Sequence, residues 1–312
     1  MELLYARDIY GKTLLELGRK DSNIVVLDAD LSGSTRTSMF AKEFPERFFN
    51  FGVAEQNMMA ASAGFASCGK VVFVSTFAMF ATARPLDQIR NTICYNNFNV
   101  KIVATHAGIT VGEDGSSHQA LEDIALLRSI PNIKIIVPAD ALETKYAVLS
   151  AYETSGPFYI RLGRAKVPTL KNKKKFILGK GYILEEGRDL VIIACGIMVY
   201  QALEANKILK SKGISATIVN IHTIKPIDEE LIISLAKRYK RIIVCEEHQT
   251  TGGLYSSVCE ILSKKCPVWV ESVGVNDRFG QSGSPEELLN AYELASPYIA
   301  KKVEDFIRSS KN

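Results

Sequence analysis

A single carboxylate, Glu55, stands in FNFGVAEQNMMAASAGFA, residues 49–66. The spacing of Val53, Met58, Met59, Ala63 and Phe65 predicts a helix buried on most of its faces, with Glu55 in its first turn. A carboxylate at the edge of such a core is either paired or used for its perturbed protonation. A second concentration of chemistry lies in THAGITVGEDGSSHQ, residues 105–119, where His106, Glu113, Asp114 and His118 share one glycine-rich stretch. Two of the chain's 4 histidines fall there, so acid–base or hydrogen-bonding work is one reading. A plainer one makes Asp114-Gly115 a turn, Ser117 a helix cap and His118 a surface residue.

These residues need a frame that brings them together. Candidate strands lie at 23–30, 70–75, 100–106, 133–138 and 158–162, with helices near 5–19, 54–67, 79–97, 119–129 and 141–153. Near-continuous apolar strands separated by helices predict a parallel sheet covered on both faces. The pattern breaks at GRAKVPTLKNKKKFILGKG and resumes in DLVIIACG, SATIVNI, RIIVCEEH and PVWVESV, with helices near 198–212, 228–239, 252–264 and 293–309. The expectation is two doubly wound α/β domains, 1–165 and 181–312, joined by a linker at 166–180. Such sheets bind ligands at the carboxyl ends of their strands. DADLSGST, STF and the 105–119 stretch all follow strands of the first domain, which places them at one edge.

Composition narrows the function. At 312 residues, 47% hydrophobic and 23% charged, the chain reads as globular, and its net charge of +4 is too small and dispersed to argue for nucleic acid. The basic cluster Lys171–Lys175 reads as solvated linker. No apolar run reaches membrane-span length and the first residues lack a signal-peptide pattern, so the cytoplasm is expected. Six cysteines, at 68, 94, 195, 245, 259 and 266, lack CxxC or His-partner spacing and are expected as free thiols. No metal site is expected. Nucleotide P-loop, GxGxxG and GxSxG patterns are absent.

Taken in order, YAR, DADLSGST, FNFGVAEQNMMAASAGFA, STFAMF, DQIRN, THAGITVGEDGSSHQALEDIALLR, PNIKIIVPAD and GPFYIRLGR resemble the C-terminal half of transketolase. The second domain resembles that family's C-terminal domain, including VCEEHQTTGGL. The resemblance implies a thiamine-diphosphate enzyme in which a protonated Glu55 hydrogen-bonds N1′ of the aminopyrimidine and promotes its imino tautomer. Burial of the carboxyl group favours that protonated form. Phe77 and Phe80 match aromatics that pack on the pyrimidine, whereas Ala83 stands near the place of a third aromatic found in many relatives. By the same carry-over, Arg7, Ser34, His106 and Arg161 hold a sugar phosphate, Asp114 and His118 contact sugar hydroxyls, His118 acts as donor or proton shuttle, and Asp30 lies close to the thiazolium.

One part of the family pattern is absent: the GDG followed by Asn that binds Mg²⁺ and the cofactor diphosphate. The resemblance therefore implies a pyrimidine-binding plus C-terminal subunit of a split transketolase. A separate N-terminal subunit would hold the diphosphate with Mg²⁺ or Ca²⁺, and the family expectation is a heterotetramer that also self-associates. The implied reaction is two-carbon ketol transfer between sugar phosphates in pentose phosphate metabolism. Alternatives are the β-subunit of a 2-oxo acid dehydrogenase E1, a deoxyxylulose-phosphate synthase-like enzyme, and a non-catalytic assembly subunit. Nothing in the second domain reads as catalytic.

Overall fold

The computed structural model describes residues 2–170 and 175–309, so most of the Lys171–Lys175 cluster lies outside the described residues. The first sheet has seven strands. From edge to edge they are Thr223–Lys225, Lys134–Ile136, Phe158–Arg161, Val100–Ala104, Val71–Ser75, Ile24–Asp28 and Phe48–Asn50. All neighbours pair in parallel except Thr223–Lys225, which runs antiparallel to Lys134–Ile136. Ile24–Asp28 and Val100–Ala104 are buried at every position, which explains why they read as unbroken apolar runs rather than alternating ones.

The second sheet runs Trp269–Val275, Arg241–Gln249, Leu190–Ala194, Ala216–Asn220, Tyr182–Glu185. It is parallel except for the last strand. Both domains are thus α/β with mostly parallel sheets. They are tightly joined, because the strand Thr223–Lys225 comes from the second half of the chain and completes the first sheet. Glu143, on the helix Ala141–Glu153, accepts hydrogen bonds from Tyr182 Oη and Asn220 Nδ2, both at 2.9 Å, across the same seam. Burial comes first among the influences on Glu143 and pushes it up to about 7.

Several expected elements differ. The helix expected over 79–97 is two pieces, Ala78–Thr82 and a π-helical segment Gln88–Cys94, because Pro85 lacks an amide hydrogen and interrupts the ladder. The helix expected from 119 begins only at Asp123. Helix Pro285–Ala291 was not expected from sequence, although Ser284 and Glu287 form a complete capping box. Strand Lys166–Pro168, in the expected linker, pairs with Leu3–Tyr5 and ties the chain back to its start. Helix Glu55–Ser67 buries Met58, Met59 and Ala63 but exposes Gln56, Asn57, Ala60 and Gly64, and Val53 precedes it in solvent. It is therefore less enclosed than its apolar sequence suggested.

Candidate active site

Three adjacent parallel strands end at Asp28, Ser75 and Ala104, and the segments that follow them carry Asp30, Ser34, Phe77, Phe80, His106, Asp114 and His118. Asp28 anchors the first segment. Its carboxylate accepts from Leu31 N at 2.7 Å, Thr35 Oγ1 at 2.7 Å and Thr37 Oγ1 at 2.8 Å, fixing the turn that presents Ser34 and Arg36. Burial raises the Asp28 pKa, and these three bonds oppose it. Asp30 and His106 both hold left-handed backbone conformations (φ 63° and 59°) just past strand ends. Non-glycine residues seldom adopt such a conformation unless the surroundings impose it.

At the centre, the His106 ring stacks on Phe77, with centroids 3.8 Å apart and planes 22° apart. Phe77 in turn lies 6.0 Å from Phe80 at 19°, and His118 meets Phe80 edge-on at 5.2 Å. Burial, followed by the charges of Arg7, Arg164, His118 and Arg36, drives the His106 pKa down to about 3. His106 is therefore neutral at physiological pH and works through its ring nitrogens as donor and acceptor, not as a cation. Its Nδ1 lies 2.9 Å from Thr105 Oγ1. Arg7 Nη1 donates to the Ser34 carbonyl at 3.3 Å, and Arg7 Nε is buried without a hydrogen-bond partner.

Glu55 opens its helix and is 4% exposed. Of the two options the sequence left, the free chain adopts pairing: Arg84 Nη1 donates to Glu55 Oε1 at 2.7 Å. The same guanidinium sits 4.2 Å above the Phe80 ring, so Arg84 links the carboxylate to the aromatic group. Asp114 is exposed on the 105–119 loop beside the left-handed Gly115. Asp30 is exposed and accepts from Asn50 Nδ2 at 3.1 Å.

Arg161 does not join this cluster. It is 5% exposed, and its guanidinium donates to Asp123 Oδ2 at 2.7 Å, the Ala120 carbonyl at 2.9 Å and the Glu247 carbonyl at 3.0 Å. Being the last residue of its strand, it points into the seam between domains, with Nε and Nη2 bonded to protein. Arg161 was expected to hold phosphate; here it is engaged in the seam, and Arg164, three residues on, is half-exposed beside the loop. Arg164 Nη1 reaches the loop at the Val111 carbonyl (2.5 Å) and Glu113 Oε2 (2.7 Å). Sequence reading missed Arg164, Arg36 and Arg84. For Arg164 the signal was present, since GPFYIRLGR contains two arginines and only the second lies beyond the strand.

The chain matches the family models "Transketolase, pyrimidine binding domain" over residues 4–169 and "Transketolase, C-terminal domain" over 179–299. It is 52% identical over 302 residues to a Methanocaldococcus jannaschii protein that carries the provisional name transketolase C-terminal section, covering 94% of this chain and 93% of that one. It is 39% identical to one of the subunits of the apulose-4-phosphate transketolase of Phocaeicola vulgatus, covering 98% of each. Among solved structures, a split-gene transketolase described as an inactive β4 tetramer matches with TM-score 0.88 and 48% identity over 98% of each chain. The chain belongs to the transketolase family, as a split-type subunit comprising the pyrimidine-binding and C-terminal domains.

Proposed function

We propose that this chain is half of a thiamine-diphosphate-dependent transketolase, transferring a two-carbon ketol unit from a ketose phosphate to an aldose phosphate. A separate subunit would supply the diphosphate site and its Mg²⁺ or Ca²⁺, in keeping with the missing GDG and Asn. The observation that carries this reading is the convergence of Arg7, Arg36 and Arg164 on a neutral His106 beside the Phe77–Phe80 pair. Guanidinium groups suit an anionic sugar terminus, and the aromatic pair suits a planar ring. Relatives named for apulose 4-phosphate and for 6-deoxy-6-sulfofructose, the latter from a Clostridium species and 37% identical, both act on sugars with an anionic end by their names.

The chain's own groups fit the pyrimidine half of the cofactor: Arg84 links the buried Glu55 carboxyl group to the Phe80 ring, which lies beside Phe77, and Thr76 Oγ1, the residue before Phe77, is buried and unpartnered. When bound, thiamine diphosphate supplies the electron sink for breaking and remaking a carbon–carbon bond. Glu55 would take a pyrimidine nitrogen after Arg84 moves aside, and Phe77 and Phe80 would pack on the ring. His118 and Asp114 would hold sugar hydroxyls, with His118 moving a proton. Arg7, Ser34, His106 and Arg164 would hold the anionic terminus, and Asp30 would lie near the thiazolium.

The experiment is a two-subunit assay. The isolated chain should be inactive, as the β4 tetramer it resembles is described to be. Reconstitution with a co-purified diphosphate-binding subunit should give turnover of xylulose 5-phosphate with ribose 5-phosphate. A deoxyxylulose-phosphate synthase of Dictyoglomus turgidum is 38% identical over about half its length, so pyruvate is the competing substrate. Turnover with pyruvate alone would reject ketol transfer, and no turnover with any partner would favour an assembly role.

A further inference from the structure

We propose that Glu247, on the second domain, is a positioning residue that sets the 106–118 loop for sugar binding; this rests on the transketolase reading above. Strand Arg241–Gln249 carries Glu246, Glu247 and His248 in succession, all buried. Ionisable residues are rarely placed in a strand interior unless each has a partner. Glu246 has local ones, whereas His248 and Glu247 reach across to the first domain. Glu246 accepts from Leu254 N at 2.7 Å and Tyr255 N at 2.9 Å, satisfying the first turn of helix Leu254–Lys265. His248 Nε2 accepts from Ala125 N at 3.3 Å.

Of the two that cross, Glu247 is the one that reaches the 106–118 loop. Its Oε1 accepts from the backbone amide of Thr110 at 2.6 Å, midway between His106 and Asp114. The fit is close, because a Cβ built on the left-handed Gly108 (φ +83°) would lie 2.3 Å from the Glu247 carboxyl carbon. The carboxylate thus occupies space that only a bare backbone leaves open. From below, Arg161 bonds the Glu247 and Ala120 carbonyls and so clamps the support to the far end of the loop. Gln119 Nε2 donates to the Ile109 carbonyl at 3.1 Å and to the Gln281 carbonyl at 2.9 Å, a second tie to the same domain.

Within itself the loop holds short turns, such as Gly112 N to Ile109 O at 3.3 Å; its own domain ties it at Ala107, Gly108 and Val111, and Glu247 and Gln281 hold it from the other side. It carries His106, Asp114 and His118. The second domain therefore takes part in the reaction without touching substrate, by fixing the backbone that does.

The test uses Glu247→Met, which keeps volume but accepts no hydrogen bond, and Glu247→Gln, which keeps an acceptor oxygen. In the full chain, amide exchange at Thr110 should accelerate at least about tenfold in E247M and stay within about twofold of wild type in E247Q. In the two-subunit enzyme, KM for the sugar phosphates should rise about tenfold in E247M, with a smaller fall in kcat, and E247Q should restore it. If E247M does not fold, Gly108→Ala presses on the same contact from the loop side, and the same rise in KM is expected. Unchanged Thr110 exchange, a KM within twofold of wild type, or equal impairment by both Glu247 variants would overturn the proposal. Thr110 exchange is read on this chain alone, so it decides whether Glu247 holds the loop even if wild-type enzyme shows no ketol transfer.

Discussion

Glu55 was legible because a lone carboxylate in small and apolar surroundings is chemically conspicuous. Its partner was not. Arg84 follows Ala83, and the Pro85 break turns that segment so that the guanidinium returns over Phe80 to the carboxylate. The i,i+4 spacing accounts for its contact with Phe80, but nothing local in sequence places it against residue 55. Donating a hydrogen bond to a ring nitrogen requires a protonated, unpaired carboxyl group, so the Glu55–Arg84 pair must open before Glu55 can act as proposed. Arg84 is half-exposed but Glu55 is buried, so the pair opens only if the ring nitrogen takes the place of the guanidinium as partner of the carboxyl group. Two results follow for the two-subunit enzyme. Glu55→Ala should lower kcat by at least about 100-fold while assembly persists. Arg84→Gln should tighten thiamine diphosphate binding a few-fold, since a competitor for Glu55 is gone. Titration of cofactor into each variant, alongside size-exclusion chromatography, checks both. Normal turnover by E55A would remove Glu55 from the mechanism, and weaker binding by R84Q would make Arg84 a contact rather than a competitor.

The strands and most helices were readable because fully buried strands and long helices imprint unbroken or periodic patterns on sequence. What failed were elements whose existence depends on a partner. Thr223–Lys225 is too short to signal itself and forms only against Lys134–Ile136, and the 105–119 loop takes its shape from residues more than a hundred positions away. The placing of Arg161 has the same origin: an arginine at a strand end is equally able to face substrate or interior, and here it pairs with Asp123. Helix packing offers a test at this scale. Helix Ala6–Lys20 carries Gly11 where a Cβ would meet the Arg36 Cβ at 2.7 Å and the Arg36 carbonyl at 2.8 Å. The carbonyl belongs to backbone and cannot swing aside. Gly11→Ala should therefore lose about 1–3 kcal/mol to overpacking, outweighing a helix-propensity gain of about 1 kcal/mol. Because Arg36 and Ser34 lie on the displaced segment, KM for sugar phosphate should also rise. Denaturant melts together with steady-state kinetics measure both, and a stabilised variant with unchanged KM would show that this contact does not position the site.

For the whole molecule, buried histidines kept neutral by burial weaken the fold toward low pH, and one of them sits in the seam between domains. His222 lies in it, fully buried, stacked on Phe176 with centroids 4.2 Å apart, with Nδ1 2.8 Å from Thr223 Oγ1 and Nε2 unpartnered. Burial lowers its pKa to about 4 from the ordinary 6.5. Between those values the unfolded chain binds a proton at this site that the folded chain refuses, so stability falls as pH drops from 6.5 toward 4. At pH 5 the loss from this one group is about 2 kcal/mol. Other buried groups complicate the total. Glu143 and Glu246, both raised to about 7 foremost by burial, are protonated in the fold before they are in the unfolded chain, so they favour the folded state toward low pH. Comparison with His222→Phe cancels those contributions and isolates His222. Whatever offset the substitution brings at pH 7, the variant should gain about 2 kcal/mol on wild type between pH 7 and pH 5, read from urea unfolding of the full chain. A difference that stays constant with pH would mean that His222 takes up its proton inside the fold and that the seam admits charge.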